Sequence, residues 1–284
     1  MLTKKCRLEF GKTGTAKVLF SGDWHIGTDA CHIKGVAKFI EAAKRTPWVG
    51  MADFMEAITP GDKRFTIDEH GKTSLMGQWA LAQRCIASAS KTCLGLVSGN
   101  HEAAVSKTIG SMSKLLAEQT GVTYLTQTAF LCMSGGAKAT TVYVAHGTLV
   151  CAGRSGDERR ADLNKRIRLR DYLSAFEADL KVIGHGHQFI CSPPMDKRRL
   201  VPGYEKDGSL RRPVEVEKGW CVMTPALVRV YTEDCETWAQ SRLFSPADLG
   251  WVEAVIDKSL GIVAVNHIDE NGIVVKTVER EVLS

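Results

Sequence analysis

The chain has 284 residues, of which 44% are hydrophobic and 24% are charged. This composition excludes disordered, collagenous and coiled-coil proteins. The length equals about two average domains, but α/β folds of this size often form one unit. We therefore expect a single domain over residues 1–284, in which a strand-rich part at about 191–284 completes a motif-bearing core at about 16–190.

Lys and Arg outnumber Asp and Glu by 37 to 32, and the formal net charge of +5 favours an anionic partner without requiring one. The nine cysteines are scattered and form no C-x-x-C pair, which indicates reduced thiols. No uncharged stretch is apolar enough to cross a membrane, and the first ten residues lack the apolar run of a secretory signal. We expect a cytoplasmic protein with no membrane partner.

Hydrophobic periodicity predicts strands and helices that alternate over the first 190 residues. Strands are predicted at 16–21, 93–98, 122–133, 139–145 and 179–183, an apolar segment at 48–54, and helices at 34–45, 74–90, 102–118 and 158–178. A stretch rich in Pro and Gly follows residue 190, and strand-like runs then recur at 219–230, 251–256, 262–268 and 273–279.

Side chains with oxygen or imidazole donors follow five of the strand-like segments, where loops at a sheet edge can bring them into one crevice. They are Asp23 and His25 in GDWH, Asp53 in GMAD, Asn100 and His101 in GNHE, His146 in VAHG, and His185 and His187 in GHGH. Each motif alone is weak, since a single His after a strand is more often structural. Together, their order and their donor type predict a metal site.

This ordered set resembles the calcineurin-like metallophosphoesterases, whose pattern is D-x-H, G-D-x-x-[DE], G-N-H-[DE], a later His, and G-H-x-H. The resemblance covers roughly residues 16–190. It departs in the second block, where Ala52 stands in place of the family's Gly before Asp53. The fold that it implies is α/β: a four-layer αββα sandwich of two mixed β-sheets flanked by helices.

The resemblance also implies two divalent metal ions bridged by the carboxylate of Asp53. It assigns Asp23, His25 and His187 to one ion, and Asn100, His146 and His185 to the other. Mn²⁺ is the expected ion, and Fe, Zn and Ni also accept mixed nitrogen and oxygen ligands. No Cys occurs in the motifs, which argues against a structural zinc site.

Two divalent cations against the carboxylates of Asp23 and Asp53 leave a local charge of two plus, which suits a phosphate ester. We therefore expect a phosphoesterase in which a metal-activated hydroxide attacks phosphorus. His101 follows a ligand and cannot easily reach the same ion, so we assign it to the leaving-group oxygen as general acid or hydrogen-bond donor. The resemblance implies that Glu56 orients His101; a solvated charge at a helix start is the alternative for Glu56.

Three basic groups flank the motif loops and favour a polyanionic substrate such as DNA or RNA. They are Arg159, Arg166 and Arg170 on one face of a predicted helix, Lys63–Arg64 beyond Asp53, and Lys197–Arg199 with Arg211–Arg212 after His187. We expect hydrolysis of phosphodiesters in nucleic acid or nucleotides. A phosphomonoesterase acting on a phosphoprotein or small metabolite, a catalytically weak scaffold protein, and, for any one cluster, a merely solvated surface remain alternatives.

Four further residues lie outside this set of candidate ligands. His32, His70 and His267 match none of the motifs, and we expect them at the surface or in strands. Trp24 lies between Asp23 and His25, where it can line the cleft or pack in the core.

Overall fold

The structure is a computed structural model that describes residues 2–199, 214–233 and 235–280, with the backbone alone at 108, 195–199 and 214–218. Arg211 and Arg212, which belong to one of the predicted basic groups, lie outside the described residues. So do the side chains of Lys197–Arg199.

Strands and helices alternate over the first part of the chain, as predicted, and strands dominate its last part. The strands are β1 (Leu2–Arg7), β2 (Thr15–Ser21), β3 (Trp48–Gly50), β4 (Cys93–Leu96), β5 (Thr128–Ser134), β6 (Thr140–Ala145), β7 (Leu180–Ile183), β8 (Ile190–Ser192), β9 (Met195–Arg199), β10 (Val214–Lys218), β11 (Trp220–Met223), β12 (Trp251–Asp257), β13 (Gly261–Ile268) and β14 (Val274–Glu279). The helices are α1 (Ile33–Ala43), α2 (Ile67–His70), α3 (Leu75–Ser88), α4 (Asn100–Ala104), α5 (Ser106–Ile109), α6 (Met112–Thr120), α7 (Glu158–Tyr172) and α8 (Trp238–Ser241).

Within the described residues, twelve of the strands form two mixed sheets of six. The first sheet has the order β1-β5-β6-β7-β11-β8, and its strands β6, β7 and β11 are parallel. The second sheet has the order β14-β13-β12-β2-β3-β4, in which β2, β3 and β4 are parallel and β12 to β14 are antiparallel. The remaining strands β9 and β10 pair with each other as an antiparallel ribbon.

The two six-stranded sheets pack face to face, because side chains that alternate along their strands meet in one buried cluster. Leu131, Val144 and Val182 of the first sheet contribute to it, and so do Val18 and Val252 of the second. Burial of apolar surface of this kind contributes about 25 cal/mol for each Å² removed from water. The core between the sheets is therefore formed by side chains of both sheets.

Helices cover the outer faces of the sheets. On the second sheet, Phe39 of α1 and Ile86 of α3 share a buried cluster with Trp48. On the first sheet, Leu169 of α7 packs in a cluster with Ile183. The predicted four-layer αββα sandwich is thereby confirmed.

Two predicted helices have different bounds in the structure. The helix expected at 102–118 is divided into α4, α5 and α6, and Gly110 between the last two adopts a left-handed backbone with φ of 83°. Helix α6 then begins at Met112 and is capped by Ser111, whose side chain accepts a hydrogen bond from the amide of Lys114. Helix α7 ends at Tyr172 instead of continuing to 178, and the ring of Phe176 beyond it stacks on Tyr143.

None of the helices in the described ranges combines the length and the apolar character that crossing a membrane requires.

Candidate metal centre

The predicted donors lie at the ends of five parallel strands. Asp23 and His25 follow β2, Asp53 follows β3, Asn100 follows β4, His146 follows β6, and His185 and His187 follow β7. Loops from the two sheets contact each other at this edge, since His187 Nε2 lies 3.2 Å from Asp23 Oδ1 and His146 Nε2 lies 3.0 Å from Asp53 Oδ2. The structure thus gathers these donors into one cluster.

Backbone strain is concentrated in these loops. Nine non-glycine residues of the described chain have positive φ, and six of them lie at or beside the donors. The six are Asp23, His25, Ala52, Asp53, His185 and His187, with φ between 47° and 76°. Because a left-handed conformation costs a residue with a Cβ about 1 kcal/mol or more, the tertiary structure must impose it here.

Ala52 illustrates this strain at the position where the sequence departs from the family pattern. Its φ of 76° lies in the region that favours glycine, which accounts physically for the family's Gly, and its side chain is fully buried. A different requirement acts at Gly99, where a Cβ would lie 1.9 Å from Asp53 Oδ1. The loop before α4 can approach Asp53 only because Gly99 has no side chain.

The first candidate ligand group consists of Asp23, His25 and His187, which the resemblance assigned to one ion. Asp23 Oδ1 lies 3.2 Å from His187 Nε2 and 3.9 Å from His25 Nε2. Asp23 is completely buried and His25 almost so. The nitrogen and oxygen atoms of the three residues are close enough together to share one metal ion.

The second candidate group is formed by Asp53, His146 and His185, with Asn100 between them. His146 Nε2 lies 3.0 Å from both Asp53 Oδ2 and Asn100 Oδ1, and His185 Nδ1 lies 2.9 Å from the same amide oxygen. These atoms converge on a common point, as ligands of one cation must. The resemblance assigned Asn100, His146 and His185 to the second ion, and their binding of a metal stays a prediction.

Hydrogen bonds at the opposite ring nitrogens orient two of the imidazoles. His146 Nδ1 lies 2.9 Å from the carbonyl oxygen of Met51, and His25 Nδ1 lies 2.7 Å from Glu56 Oε2. When Nδ1 donates its proton to such an oxygen, Nε2 keeps a lone pair for a metal. Both Nε2 atoms face the carboxylates of the cluster.

Glu56 is placed differently from the expectation that its carboxylate orients His101. His101 Nδ1 bonds to the backbone carbonyl of Glu56 at 2.6 Å, while the nearest carboxylate oxygen lies 3.7 Å away. The carboxylate instead bonds to His25. Glu56 is 6% exposed, so the alternative of a solvated charge is wrong. Glu56 positions His101 mainly through its main chain and His25 through its side chain.

Strong electrostatic coupling accompanies this burial. Burial opposes the protonation of His25, but the carboxylates of Glu56, Asp53 and Asp23 together raise the pKa of His25 to about 9. Burial likewise opposes the protonation of His146, whose pKa Asp53 nevertheless raises to about 10. For His185, burial and the charge of His146 together lower the pKa to about 4. The carboxylates therefore favour positive charge at His25 and His146, whereas His185 stays neutral at pH 7.

Glu102, the last residue of the GNHE motif, has a role that the sequence did not indicate. Its carboxylate accepts hydrogen bonds from the backbone amides of Asp53, Phe54 and Met55 at 3.2, 2.6 and 3.3 Å. Burial, followed by repulsion from Asp53, raises the pKa of Glu102 to about 8. Glu102 holds the turn that presents Asp53, and its place in the motif was the signal available for finding it.

His70 also contradicts its expected place at the surface or in a strand. It is 4% exposed at the end of α2, and its Nε2 lies 3.5 Å from Glu56 Oε1. The sequence offered no signal for this contact, because His70 lies in the loop beyond the second motif. Of the other residues outside the set, His32 caps α1 and His267 lies in β13, while Trp24 is fully buried in the core.

The predicted arginine face of α7 is not a set of three free cations. Arg159 is exposed, whereas Arg166 Nη2 pairs with Asp162 at 2.6 Å. Arg170 donates to Ser192 Oγ at 2.6 Å and to the carbonyl of Pro193, so it fastens α7 to the end of β8. Binding of DNA or RNA along this face stays a prediction.

Arg64, from a different basic group, lies at the centre itself. Its Nη1 is 3.3 Å from His101 Nε2. Asp62 binds the rest of the guanidinium, with Oδ2 2.8 Å from Nη2 and Oδ1 3.1 Å from Nε. The sequence indicated only that Arg64 lies in a loop beyond Asp53.

The donor set fits divalent cations. His25 Nε2 is buried and has no hydrogen-bond partner among the described residues, although it faces Asp23. A buried polar atom left unpaired in this way is rare and unfavourable. Carboxylate, amide and imidazole donors without thiolate suit Mn²⁺, Fe²⁺ or Zn²⁺ in a reactive site.

No protein family model matches the chain, and no curated protein sequence matches it either. Several solved structures are similar to it, among them the following two. One is Yfce, a phosphoesterase from E. coli, with 12% identity, coverage of 93% of this chain and 98% of that chain, and a TM-score of 0.43. The other is GAP50, the anchor in the inner membrane complex of Plasmodium, with 12% identity, coverage of 95% and 90%, and a TM-score of 0.45. Likeness at this level bears on neither activity nor partners.

Proposed function

We propose that the chain is a metal-dependent phosphoesterase of the calcineurin-like type, with two divalent cations at the centre described above. The observation that carries the proposal is the unpaired, buried Nε2 of His25 beside Asp23. A cation at this point would satisfy both residues. A purely structural cluster would leave the nitrogen unpaired at a cost of about 1–3 kcal/mol.

The ligands of this proposal are those that converge in the two groups. Asp23, His25 and His187 would hold one cation, and Asn100, His146 and His185 the other. Asp53 would bridge them, which is supported by its negative charge raising the pKa of both His25 and His146. A shared carboxylate offsets the repulsion between two cations about 3.5–4 Å apart.

The chemistry proposed is hydrolysis of a phosphate ester. Bound divalent cations would supply Lewis-acid polarisation of a phosphoryl oxygen and a water molecule of lowered pKa. His101 would act on the leaving-group oxygen through Nε2, because its Nδ1 is engaged with the Glu56 carbonyl. Burial lowers the pKa of His101 and so opposes a proton on Nε2, which the charge of a bound phosphate would have to offset.

Phosphodiesters in nucleic acid or nucleotides are the substrates that we favour, and Mn²⁺ is the cation. The net charge of +5 and the exposed Arg159 on α7 support an anionic polymer. Phosphomonoester hydrolysis is the second candidate. It is favoured by Arg64, whose charge beside His101 suits a terminal phosphate.

The test is a comparison of chromogenic monoester and diester substrates with single-stranded and duplex DNA, all in the presence of Mn²⁺. Asp53→Asn should abolish hydrolysis and release at least one equivalent of Mn²⁺, measured by metal analysis. Asp171→Asn, at an exposed position of α7, is the control that should change neither. Wild-type protein that retains two ions but hydrolyses no ester would instead indicate a scaffold protein.

A further inference from the structure

Arg64 has a contact pattern that a surface ion pair does not require. Asp62 binds two of its three guanidinium nitrogens, Nε and Nη2, and also accepts the backbone amide of Arg64 at 2.9 Å. The third nitrogen, Nη1, is directed to His101 Nε2 at 3.3 Å. Asp62 thereby holds the guanidinium in one orientation relative to the centre.

The guanidinium remains accessible in that orientation. The side chains of Arg64 and Asp62 are 23% and 24% exposed, so the pair lies at the mouth of the centre and not within the core. An isolated pair at this exposure adds little to stability, because solvent screens it. Nη1 carries two N–H groups, and only one of them can point to His101 Nε2, so the other can bind a ligand.

We propose that Arg64 binds a phosphoryl oxygen of the substrate beside His101, an inference that rests on the phosphoesterase function proposed above. Two features support an oxyanion as the ligand. A planar guanidinium fixed on one side presents its remaining N–H groups for directed hydrogen bonds, which are strongest with charged oxygens. His101 Nε2, which lies 3.3 Å from Nη1, is the atom assigned to the leaving-group oxygen. A bound phosphate would replace this pairing and contact both groups.

The position also separates Arg64 from the metal ligands. Its contacts are to Asp62 and His101, and neither residue is among the seven proposed metal ligands. Removing the guanidinium should therefore weaken binding of phosphate without releasing metal. His101 also lies in a third group of donors, with His25 and Glu56, so metal content must be measured in the variant. This distinguishes a substrate-binding residue from one that maintains the metal centre.

Binding of inorganic phosphate, measured by titration calorimetry on the full chain with and without Mn²⁺, tests the proposal. Arg64→Ala should raise the Kd of phosphate about 10- to 100-fold, as expected for loss of a charged hydrogen bond. Arg64→Lys, which keeps the charge but not the fork, should give an intermediate Kd. Arg84→Ala, at an exposed position of α3, removes the same charge elsewhere and should change the Kd less than 3-fold.

Measurements of folding and of metal content accompany the titrations. Mn²⁺ content and thermal melting should match wild type in Arg64→Ala; if that variant is unfolded, the comparison of Arg64→Lys with wild type replaces it. Equal Kd values in wild type and a folded Arg64 variant, or an equal loss in Arg84→Ala, would overturn the proposal. A wild-type protein that hydrolyses no ester would contradict the phosphoesterase function. If Arg64→Ala still raises the Kd of phosphate in that case, the proposal that Arg64 binds an oxyanion is retained.

Discussion

Glu56 Oε2 lies 2.7 Å from Nδ1 of His25, so a buried carboxylate supports one of the candidate metal ligands from behind. The other oxygen of this carboxylate, Oε1, lies 3.5 Å from His70 Nε2. A carboxylate behind a metal-bound imidazole fixes the ring and increases its basicity. Glu56 therefore orients a candidate ligand of the metal centre.

Glu56→Gln should weaken binding of Mn²⁺ by about 10- to 100-fold, the usual effect of losing such a partner. The amide keeps the size of the side chain but removes the charge that favours His25 as a donor. Calorimetric titration with Mn²⁺ measures the change, and Glu41→Gln at an exposed position of α1 is the control. An unchanged Mn²⁺ affinity in Glu56→Gln would show that the contact has no part in metal binding.

His101→Ala should keep both metal ions and lower kcat by about 10²- to 10⁴-fold, the range for loss of a general acid. The reason is that His101 contacts the Glu56 carbonyl and Arg64 and belongs to neither of the two predicted ligand groups. Metal analysis combined with kcat on a chromogenic ester checks it. Loss of metal from His101→Ala would mean that His101 is a ligand.

Proton competition should make metal binding depend steeply on pH. The pKa values of about 9 for His25 and about 10 for His146 mean that both rings carry protons at neutral pH in the metal-free protein. A cation must displace these protons, so the affinity for Mn²⁺ should rise between about pH 7 and pH 9. Titrations in buffers of different ionisation enthalpy measure the proton release, and equal affinity at pH 7 and pH 9 would contradict it.

The same pKa shifts predict how the metal-free protein responds to pH. Folded-state values of His25 and His146 above the unfolded value of about 6.5 stabilise the fold fully below that pH. This contribution is lost as the pH rises through about 9 and 10. Urea unfolding in the presence of a chelator should therefore give a lower free energy at pH 9 than at pH 6.5, and the difference should shrink when Mn²⁺ is added.

Ala52→Gly should change the free energy of unfolding by less than about 1 kcal/mol, although it removes a buried methyl group. Relief of left-handed strain, worth about 1–2 kcal/mol, offsets the lost burial and the added freedom of the unfolded chain. Ala254→Gly is the matched control, because Ala254 lies in the same core cluster and has no positive φ. Its free energy of unfolding should fall by about 1.5–2 kcal/mol. Urea unfolding that shows equal losses in both variants would exclude strain at Ala52.

Local sequence patterns predicted ten of the fourteen described strands and missed β1, β8, β9 and β10. The run from Ala16 to Ser21 predicted β2, and the polar residues that follow it lie where a parallel strand ends. The helix expected at 102–118 failed because a single Gly110, whose left-handed conformation the periodicity does not reveal, separates α5 from α6. Periodicity reports which face of an element is buried and gives little information about the short segments between elements.

The sequence by itself determined most strands and helices, the chemical types of the candidate donors and their order along the chain. These features depend on residues that lie a few positions apart. Only the tertiary structure decided that Glu56 supports His25, that Glu102 holds the turn at Asp53, and that Arg64 reaches His101. These contacts join loops about 30 to 50 residues apart. They form where packing of the two sheets brings the ends of separate strands together. A residue pattern within one segment gives no information about which distant segment it will contact.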